Sequence, residues 1–250
     1  MSSANTLDGR VALVTGAARR IGAAIATELH RAGASVAIHY RESANEAKML
    51  ADSLNAERVD SAAIFQADLH ATAELGALVK AVSDWQGGLH ILVNNASSFY
   101  PTPLGQITED QWDDLIGSNL KAPLFLAQAA LAELREARGS IVNIVDIHAL
   151  QPLKDHPVYG PAKAGLVMLT RSLAKDLAPE IRVNGVAPGA ILWPEDDMTD
   201  TTKASILGKV PLARAGNPDD IAGCVLYLVR DAGYVTGQII AVDGGRSVGW

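Results

Sequence analysis

Short runs of β-branched and other apolar residues recur along the chain, and a stretch with helical spacing follows most of them. Strands are predicted at 11–14, 35–40, 63–66, 91–93, 141–145, 181–186 and 238–242, where near-continuous apolar runs of strand length are bounded by turn residues. Helices are predicted at 21–31, 42–56, 75–85, 111–134, 159–177 and 220–230. Gly33, the Gly87-Gly88 pair and Pro179 act as stops, and Pro123 is expected to kink the long fourth helix. Strands that are apolar on both sides and alternate with helices indicate a sheet covered on both faces. The pattern therefore predicts an α/β fold: a Rossmann-type doubly wound domain with a seven-stranded, mostly parallel sheet. Its ligand crevice is expected at the carboxyl ends of the strands. Residues 1–8 are read as a flexible N-terminus and 9–250 as a single dinucleotide-binding and catalytic domain. The stretch 192–209, acidic at Glu195, Asp196 and Asp197, reads as a loop.

Composition narrows the classes without changing this picture. A chain of 250 residues can bury roughly three quarters of its unfolded surface, so it needs no disulfide or metal to hold a core. Its 48% apolar content is that of a globular protein. A net charge of −7 disfavours a nucleic-acid partner. Cys224 is the single cysteine, which suits a reducing compartment. The first residues lack a signal-peptide pattern and no apolar run reaches membrane-spanning length. The expectation is a cytoplasmic protein with no membrane partner. The six histidines show no metal-ligand spacing, so no metal is expected.

Candidate chemistry begins at Thr15-Gly16-Ala17-Ala18-Arg19-Arg20-Ile21-Gly22, between the first strand and the first helix. A turn there offers backbone N–H groups at the positive end of a helix, which suits a pyrophosphate. Gly16 permits the tight turn and Gly22 the close packing of helix on sheet. An NAD site would place an acid at the end of the second strand. That strand ends His39-Tyr40-Arg41, with Glu42 only afterwards. Arg19, Arg20 and Arg41 suit a ribose phosphate, because a guanidinium is planar and always charged. The expected cofactor is NADPH. Whether Arg41 or Glu42 faces the phosphate is left open by the sequence.

Tyr159 and Lys163 stand at i and i+4, on one face of a helix. A nearby ammonium stabilises a phenolate, so Lys163 is expected to make Tyr159 a better acid. The order of the glycine turn, Asn94-Asn95-Ala96, Asn119 and Tyr159-x-x-x-Lys163 resembles that of the short-chain dehydrogenases/reductases. Asp68 after the third strand and Pro188-Gly189 after the sixth agree with it, and the resemblance runs from about residue 7 to 247. Three departures narrow the likeness. Arg20 stands where most members carry glycine, Ser97 follows Asn94-Asn95-Ala96, and Asp146 replaces the usual serine thirteen residues before the tyrosine. Together with the stretch 97–104 and Asp196-Asp197-Met198, they resemble the pteridine reductases.

That resemblance implies Asp146, Tyr159, Lys163 and Asn119 as the catalytic set. It implies Gly16, Arg19, Arg20, Ile21, Gly22, His39, Tyr40, Arg41 and Ser43 around the cofactor, with Asp68 and Leu69 near the adenine. Asn95, Ala96, Ser97, Tyr159, Lys163, Pro188 and Gly189 complete that set. The substrate would meet Arg20, Ser97, Phe99, Asp146, Tyr159, Leu192 and Trp193, with Phe99 stacked on a flat pterin ring. His148 and His156 flank the site in sequence and read as polar loop residues. The implied activity is NADPH-dependent reduction of a pterin or dihydropterin, with dihydrofolate or dihydromonapterin as variants. Hydride would go to carbon and a proton to ring nitrogen. A carbonyl or alcohol oxidoreductase is the rival enzyme, and an NADPH-binding sensor the rival outside catalysis. The family likeness also implies a homotetramer.

Overall fold

The computed structural model describes residues 6–191 and 199–248. Its strands are Val11–Val14 (β1), Ser35–Tyr40 (β2), Ala62–Gln66 (β3), Ile91–Asn94 (β4), Ser140–Ile144 (β5), Arg182–Pro188 (β6) and Ile239–Val242 (β7). They form one sheet in the order β3-β2-β1-β4-β5-β6-β7, and every pairing is parallel. The helices are Arg20–Arg31 (α1), Ala44–Glu57 (α2), Leu75–Gln86 (α3), Glu109–Ile116 (α4), Ala122–Ala129 (α5), Leu131–Glu136 (α6), Tyr159–Asp176 (α7), Asp200–Leu207 (α8) and Pro218–Leu226 (α9). Alternate residues of β1 point to opposite faces, as the pleat requires. Ala12 and Val14 join a core with Ile25 and Leu29 of α1, Leu54 of α2 and Val225 of α9. Val11 and Leu13 join another with Leu78 and Val82 of α3, Leu126 of α5 and Ala174 of α7. The chain turns back on its own order between β1 and β4, and in a doubly wound sheet a ligand crevice opens at that point.

Four sequence expectations change in detail. The sheet is wholly parallel. The helix expected over 111–134 is three helices, α4, α5 and α6, with a π-helical turn at Gly117–Lys121 between the first two. Pro123 has no N–H to continue an α ladder and sits in the first turn of α5, where that lack costs little. The segment read as a loop over 192–209 contains α8, whose start Thr199 caps by accepting the N–H of Thr202. Finally, Leu7 is buried in the core and its N–H bonds Ala32 O, so the packed chain begins before residue 9.

Beneath the crevice a buried polar chain ties β4 and β5 to α7. Asn94 Nδ2 donates to Asn143 Oδ1 (2.8 Å), Asn143 Nδ2 to Thr170 Oγ1 (2.9 Å), and Thr170 Oγ1 to Leu166 O (2.7 Å). Thr170→Val keeps the shape and leaves the Asn143 amide without its acceptor. Stranding a buried donor costs about 1–3 kcal/mol. Urea unfolding of Thr170→Val is expected to show a loss of that size with an unchanged m-value. A variant as stable as wild type would show that Asn143 gains nothing from Thr170.

Candidate active site

The glycine turn is clamped between the ends of β1 and β4. Thr15 Oγ1 accepts the N–H groups of Asn95 (2.9 Å) and Ala96 (3.0 Å), and Asn95 Nδ2 donates to Thr15 O (2.9 Å) and Gly16 O (3.1 Å). Gly16 has φ +59° and would press a Cβ onto Ala96. A Cβ on Gly22 would collide with Gly16 O and lie 2.6 Å from Asn95 Nδ2. The close approach leaves a cradle for the backbone of a diphosphate ligand.

That cradle is one end of a cleft of about 420 Å³. Gly16, Arg19, Arg20, Ile21, Gly22, His39, Tyr40, Arg41, Ser43, Asp68, Leu69, Asn95, Ala96 and Ser97 all line it. Arg20 begins α1 with φ +54°, a left-handed conformation that favours glycine and costs other residues about 1–2 kcal/mol. Arg19 lies 3.6 Å from Glu46, and Arg41 3.2 Å from Glu42. Both pairs are largely exposed, so they hold their guanidinium groups weakly and would yield to a phosphate. Arg41 and Glu42 both line the cleft and pair with each other. Asp68 Oδ1 accepts the N–H of His70.

His39 serves the turn. Its Nδ1 accepts the Gly16 N–H (3.1 Å) and its Nε2 lies 3.2 Å from Ala67 O. Burial pushes its pKa down to about 4, so it is neutral, with both ring nitrogens engaged by backbone. It supports the glycine turn from behind and has no ring nitrogen free for a ligand. Pro188 closes β6 and Gly189 N–H bonds Val242 O; neither lines the cleft.

Beyond the cleft, at the ends of β5 and α7, Asp146 holds two partners. Its Oδ1 accepts the His148 N–H (2.8 Å) and caps the short turn Ile147–Ala149, while its Oδ2 accepts the Tyr159 hydroxyl (2.7 Å). Burial, then the Asp146 charge and its hydrogen bond, push the Tyr159 pKa up, against a smaller opposing hydrogen bond from Ser97. The expectation that Lys163 acidifies the phenol is therefore corrected. Lys163 Nζ donates to Ile144 O (2.9 Å) and lies 5.7 Å from the Tyr159 ring centroid, and the carboxylate prevails. Burial brings Lys163 itself down to about 8, although Asp146 opposes the shift.

Asn119 sits in the π-helical turn, almost fully buried. Its Nδ2 donates to Ser98 O (2.9 Å) and Leu115 O (3.0 Å), and its Oδ1 accepts the Ser97 hydroxyl (2.7 Å). Asn119 thus fixes the segment that carries Ser97 and Phe99. The Phe99 ring meets Tyr159 edge-on (4.8 Å, 74°) and stacks on His156 (4.9 Å, 17°). It remains 53% exposed, so ring surface is left for a flat ligand. His156 is a site residue that sequence reasoning took for a loop residue. Only its place three residues before Tyr159 pointed to it. Asp114 was missed as well. It accepts from Ser98 Oγ and Tyr100 OH, lies 3.3 Å from His70 Nε2, and braces the same segment. Leu192, Trp193 and the acidic stretch 195–197 lie outside the described residues. Among the described residues, no three His, Cys, Asp or Glu side chains converge on a point that could hold a metal ion.

The displaced Lys163 has a consequence for stability. The folded protein binds this proton with a pKa of about 8, below the 10.5 of a free lysine. Between those two values the unfolded chain holds the extra proton, so the contribution of this group to stability rises with pH across the window. Urea unfolding at pH 8 and at pH 10 should show a relative gain in wild type that Lys163→Met lacks. The same pH response in both proteins would mean that Lys163 is not perturbed.

The family model described as enoyl-(acyl carrier protein) reductase, of the short-chain dehydrogenase type, matches residues 16–247. The chain is 42% identical to pteridine reductase 1 of Leishmania tarentolae, over 95% of this chain and 96% of that one. It is 40% identical to a 3-oxoacyl-[acyl-carrier-protein] reductase of Staphylococcus aureus (94% and 96% covered) and 38% identical to one of Pseudomonas aeruginosa (96% and 98% covered). With the glycine cradle, the Asn95 clamp and the Tyr159–Lys163 helix on one sheet, these likenesses lead to one conclusion: the chain belongs to the short-chain dehydrogenase/reductase family of nicotinamide-dependent oxidoreductases.

Proposed function

We propose that the protein is an NADPH-dependent pteridine reductase, acting on a pterin or dihydropterin. The observation that carries the reading is Asp146 Oδ2 accepting the Tyr159 hydroxyl, at the position where the family likeness implies serine, beside the half-exposed ring of Phe99. A serine there would donate to a neutral carbonyl oxygen. A carboxylate cannot donate, and instead keeps the phenol protonated for delivery to a basic ring nitrogen.

The cleft suits a nicotinamide dinucleotide because Gly16 and Gly22 leave room that a Cβ would fill. When bound, this cofactor supplies the hydride. Tyr159 would hold the proton for the substrate nitrogen. Its loss would set a phenolate against the Asp146 carboxylate, which is costly, so delivery requires compensation. Lys163 is the buried cation over the ring, and its charge offsets that cost. Proton delivery should therefore weaken above pH of about 8, where Lys163 loses its charge. Ser97 and Asn119 hold the segment that presents Phe99 to a flat heteroaromatic ring.

Arg19, Arg20 and Arg41 are the proposed partners of the adenosine phosphate, and Asp68 and Leu69 flank the adenine. The intact Tyr159 and Lys163 weigh against a sensor, which has no use for a proton donor. A homotetramer belongs to the same proposal, supported by apolar residues left exposed on α4, α5 and α7 at Trp112, Leu124 and Met168. A cytoplasmic setting fits Cys224, whose thiol burial pushes up to about 11. Among the described residues no helix is long and apolar enough to cross a membrane.

The rival reading, a 3-oxoacyl thioester reductase, is favoured by the Staphylococcus and Pseudomonas relatives. Steady-state NADPH oxidation with dihydrobiopterin, a 3-oxoacyl thioester and small ketones separates the two. Pterin turnover is expected, and Asp146→Ser should reduce it by about 10²-fold or more while NADPH still binds. Turnover of the thioester without any of the pterin would overturn the proposal.

Cofactor choice tests the arginine pocket separately. At least about tenfold preference for NADPH over NADH in kcat/KM is expected, close to 1.4 kcal/mol. Arg20→Gly should shrink that preference without loss of stability, since glycine accepts the left-handed φ. Equal use of NADH by wild type would refute the phosphate assignment.

A further inference from the structure

At the end of the sheet opposite the cofactor cleft, four neighbouring strands open onto another cleft, of about 290 Å³. Arg10 immediately precedes β1, His90 immediately precedes β4, Ser140 begins β5 and Arg182 begins β6. Arg138 and Arg230 complete its basic lining. None of the described residues lining it is an aspartate or glutamate, in a chain whose net charge is −7.

Two of the guanidinium groups are held in place by backbone. Arg10 Nη1 donates to Ala137 O (3.0 Å), next to Arg138. Arg182 donates to Leu228 O (2.6 Å) and Val229 O (3.1 Å), next to Arg230. Those carbonyls follow the ends of α6 and α9, where the helix dipole favours a cation. Arg230 is satisfied by Asp231 at 2.8 Å. Arg10, Arg138 and Arg182 have no carboxylate partner among the described residues. Burial pulls the Arg182 pKa down. His90 Nδ1 accepts the Val11 N–H (3.2 Å), which leaves the proton of the neutral ring on Nε2.

Arg138 carries the argument furthest. Its φ is +47°, at the end of α6, where glycine is the favoured residue. Gly139 cannot be exchanged for it, since a Cβ there would collide with His90 O. The backbone at position 138 therefore asks for glycine, and the chain places an exposed arginine there. Strain kept at a polar cleft points to a ligand for the side chain.

We propose that this cleft binds a small polyanion carrying two or more phosphate groups, with Arg10, Arg138 and Arg182 as its partners. A guanidinium matches a phosphate edge with two parallel N–H donors. A single phosphate brings about two negative charges, so three uncompensated guanidinium groups match a diphosphate better. The described residues lining it include no Phe, Tyr or Trp on which a base could stack, which sets a nucleotide aside. The site lies at the far end of the strands from the cofactor and does not compete with it.

The test is calorimetric titration of the NADPH-saturated protein with inorganic diphosphate and with inorganic phosphate, so that the cofactor cleft is already filled. Saturable binding of one diphosphate per chain is expected, tighter than that of phosphate. Arg138→Gly, which relieves the left-handed strain and should keep or raise the melting temperature, is expected to weaken it by about tenfold. Arg10→Ala should weaken it similarly, and Arg20→Gly should leave it unchanged. No saturable binding by wild type, or an affinity in Arg138→Gly and Arg10→Ala equal to that of wild type, would overturn the proposal. Loss of the signal in Arg20→Gly alone would assign it to the cofactor cleft and overturn it equally.

Discussion

Where β1 and β4 lie side by side, their carboxyl ends are tied by Thr15 and Asn95, and the first turn of α1 is drawn in until Gly22 touches Gly16 O. Backbone meets backbone there with no room for a Cβ. That contact sets the floor of the cofactor cleft and the start of α1. It also determines how closely the helix layer with α1 and α9 can approach the sheet. His39 supports the turn from beneath as a neutral ring, so a position read as a phosphate contact works as structure. The constraint is local, but both the cleft and one face of the core follow from it.

Tyr159 and its two charged neighbours obey another constraint, desolvation. Tyr159 and Lys163 sit where water is largely excluded, Asp146 is partly buried beside them, and its charge raises the pKa of both. In the family pattern a tyrosine near a lysine is easy to read as an acidified phenol. Here burial and the Asp146 carboxylate outweigh the ammonium, which is turned to Ile144 O. The result is a firmly protonated phenol beside a weakened cation. The π-helical turn that carries Asn119 belongs to the same device. A helix with α geometry throughout would shift Asn119 relative to Ser97 and Ser98, the groups it holds.

Charge is divided between the two ends of the sheet. At the carboxyl ends, arginines at 19, 20 and 41 gather around the glycine turn, two of them in exposed ion pairs that a stronger anion can displace. At the amino ends, Arg10 and Arg182 are anchored on helix-terminal carbonyls. Both clusters stand in an acidic chain, and each includes an arginine in a left-handed conformation, Arg20 above and Arg138 below. The same compromise, side-chain chemistry kept at the expense of backbone comfort, recurs at both ends.

Most of the fold was legible in the sequence because parallel strands buried on both faces write themselves as continuous apolar runs, and the turns between them carry glycine and proline. The glycine turn was legible from its place between strand and helix, and Tyr159 with Lys163 from their spacing on one helix, whereas Asn95, Asn119 and Asp146 were legible through the resemblance to the family. Interruptions of regular pattern were less visible. The π-helical turn at Gly117–Lys121 keeps helical spacing on either side, and α8 lacks a strong apolar face. The roles of His39, His156 and Asp114 were decided by tertiary structure alone. Each depends on a partner distant in sequence: His39 on Gly16 and Ala67, His156 on Phe99, Asp114 on Ser98 and His70. The direction of the Tyr159 shift was likewise a tertiary matter. Residue identity supplies a carboxylate and an ammonium, but which of them reaches the hydroxyl depends on how β5 and α7 meet.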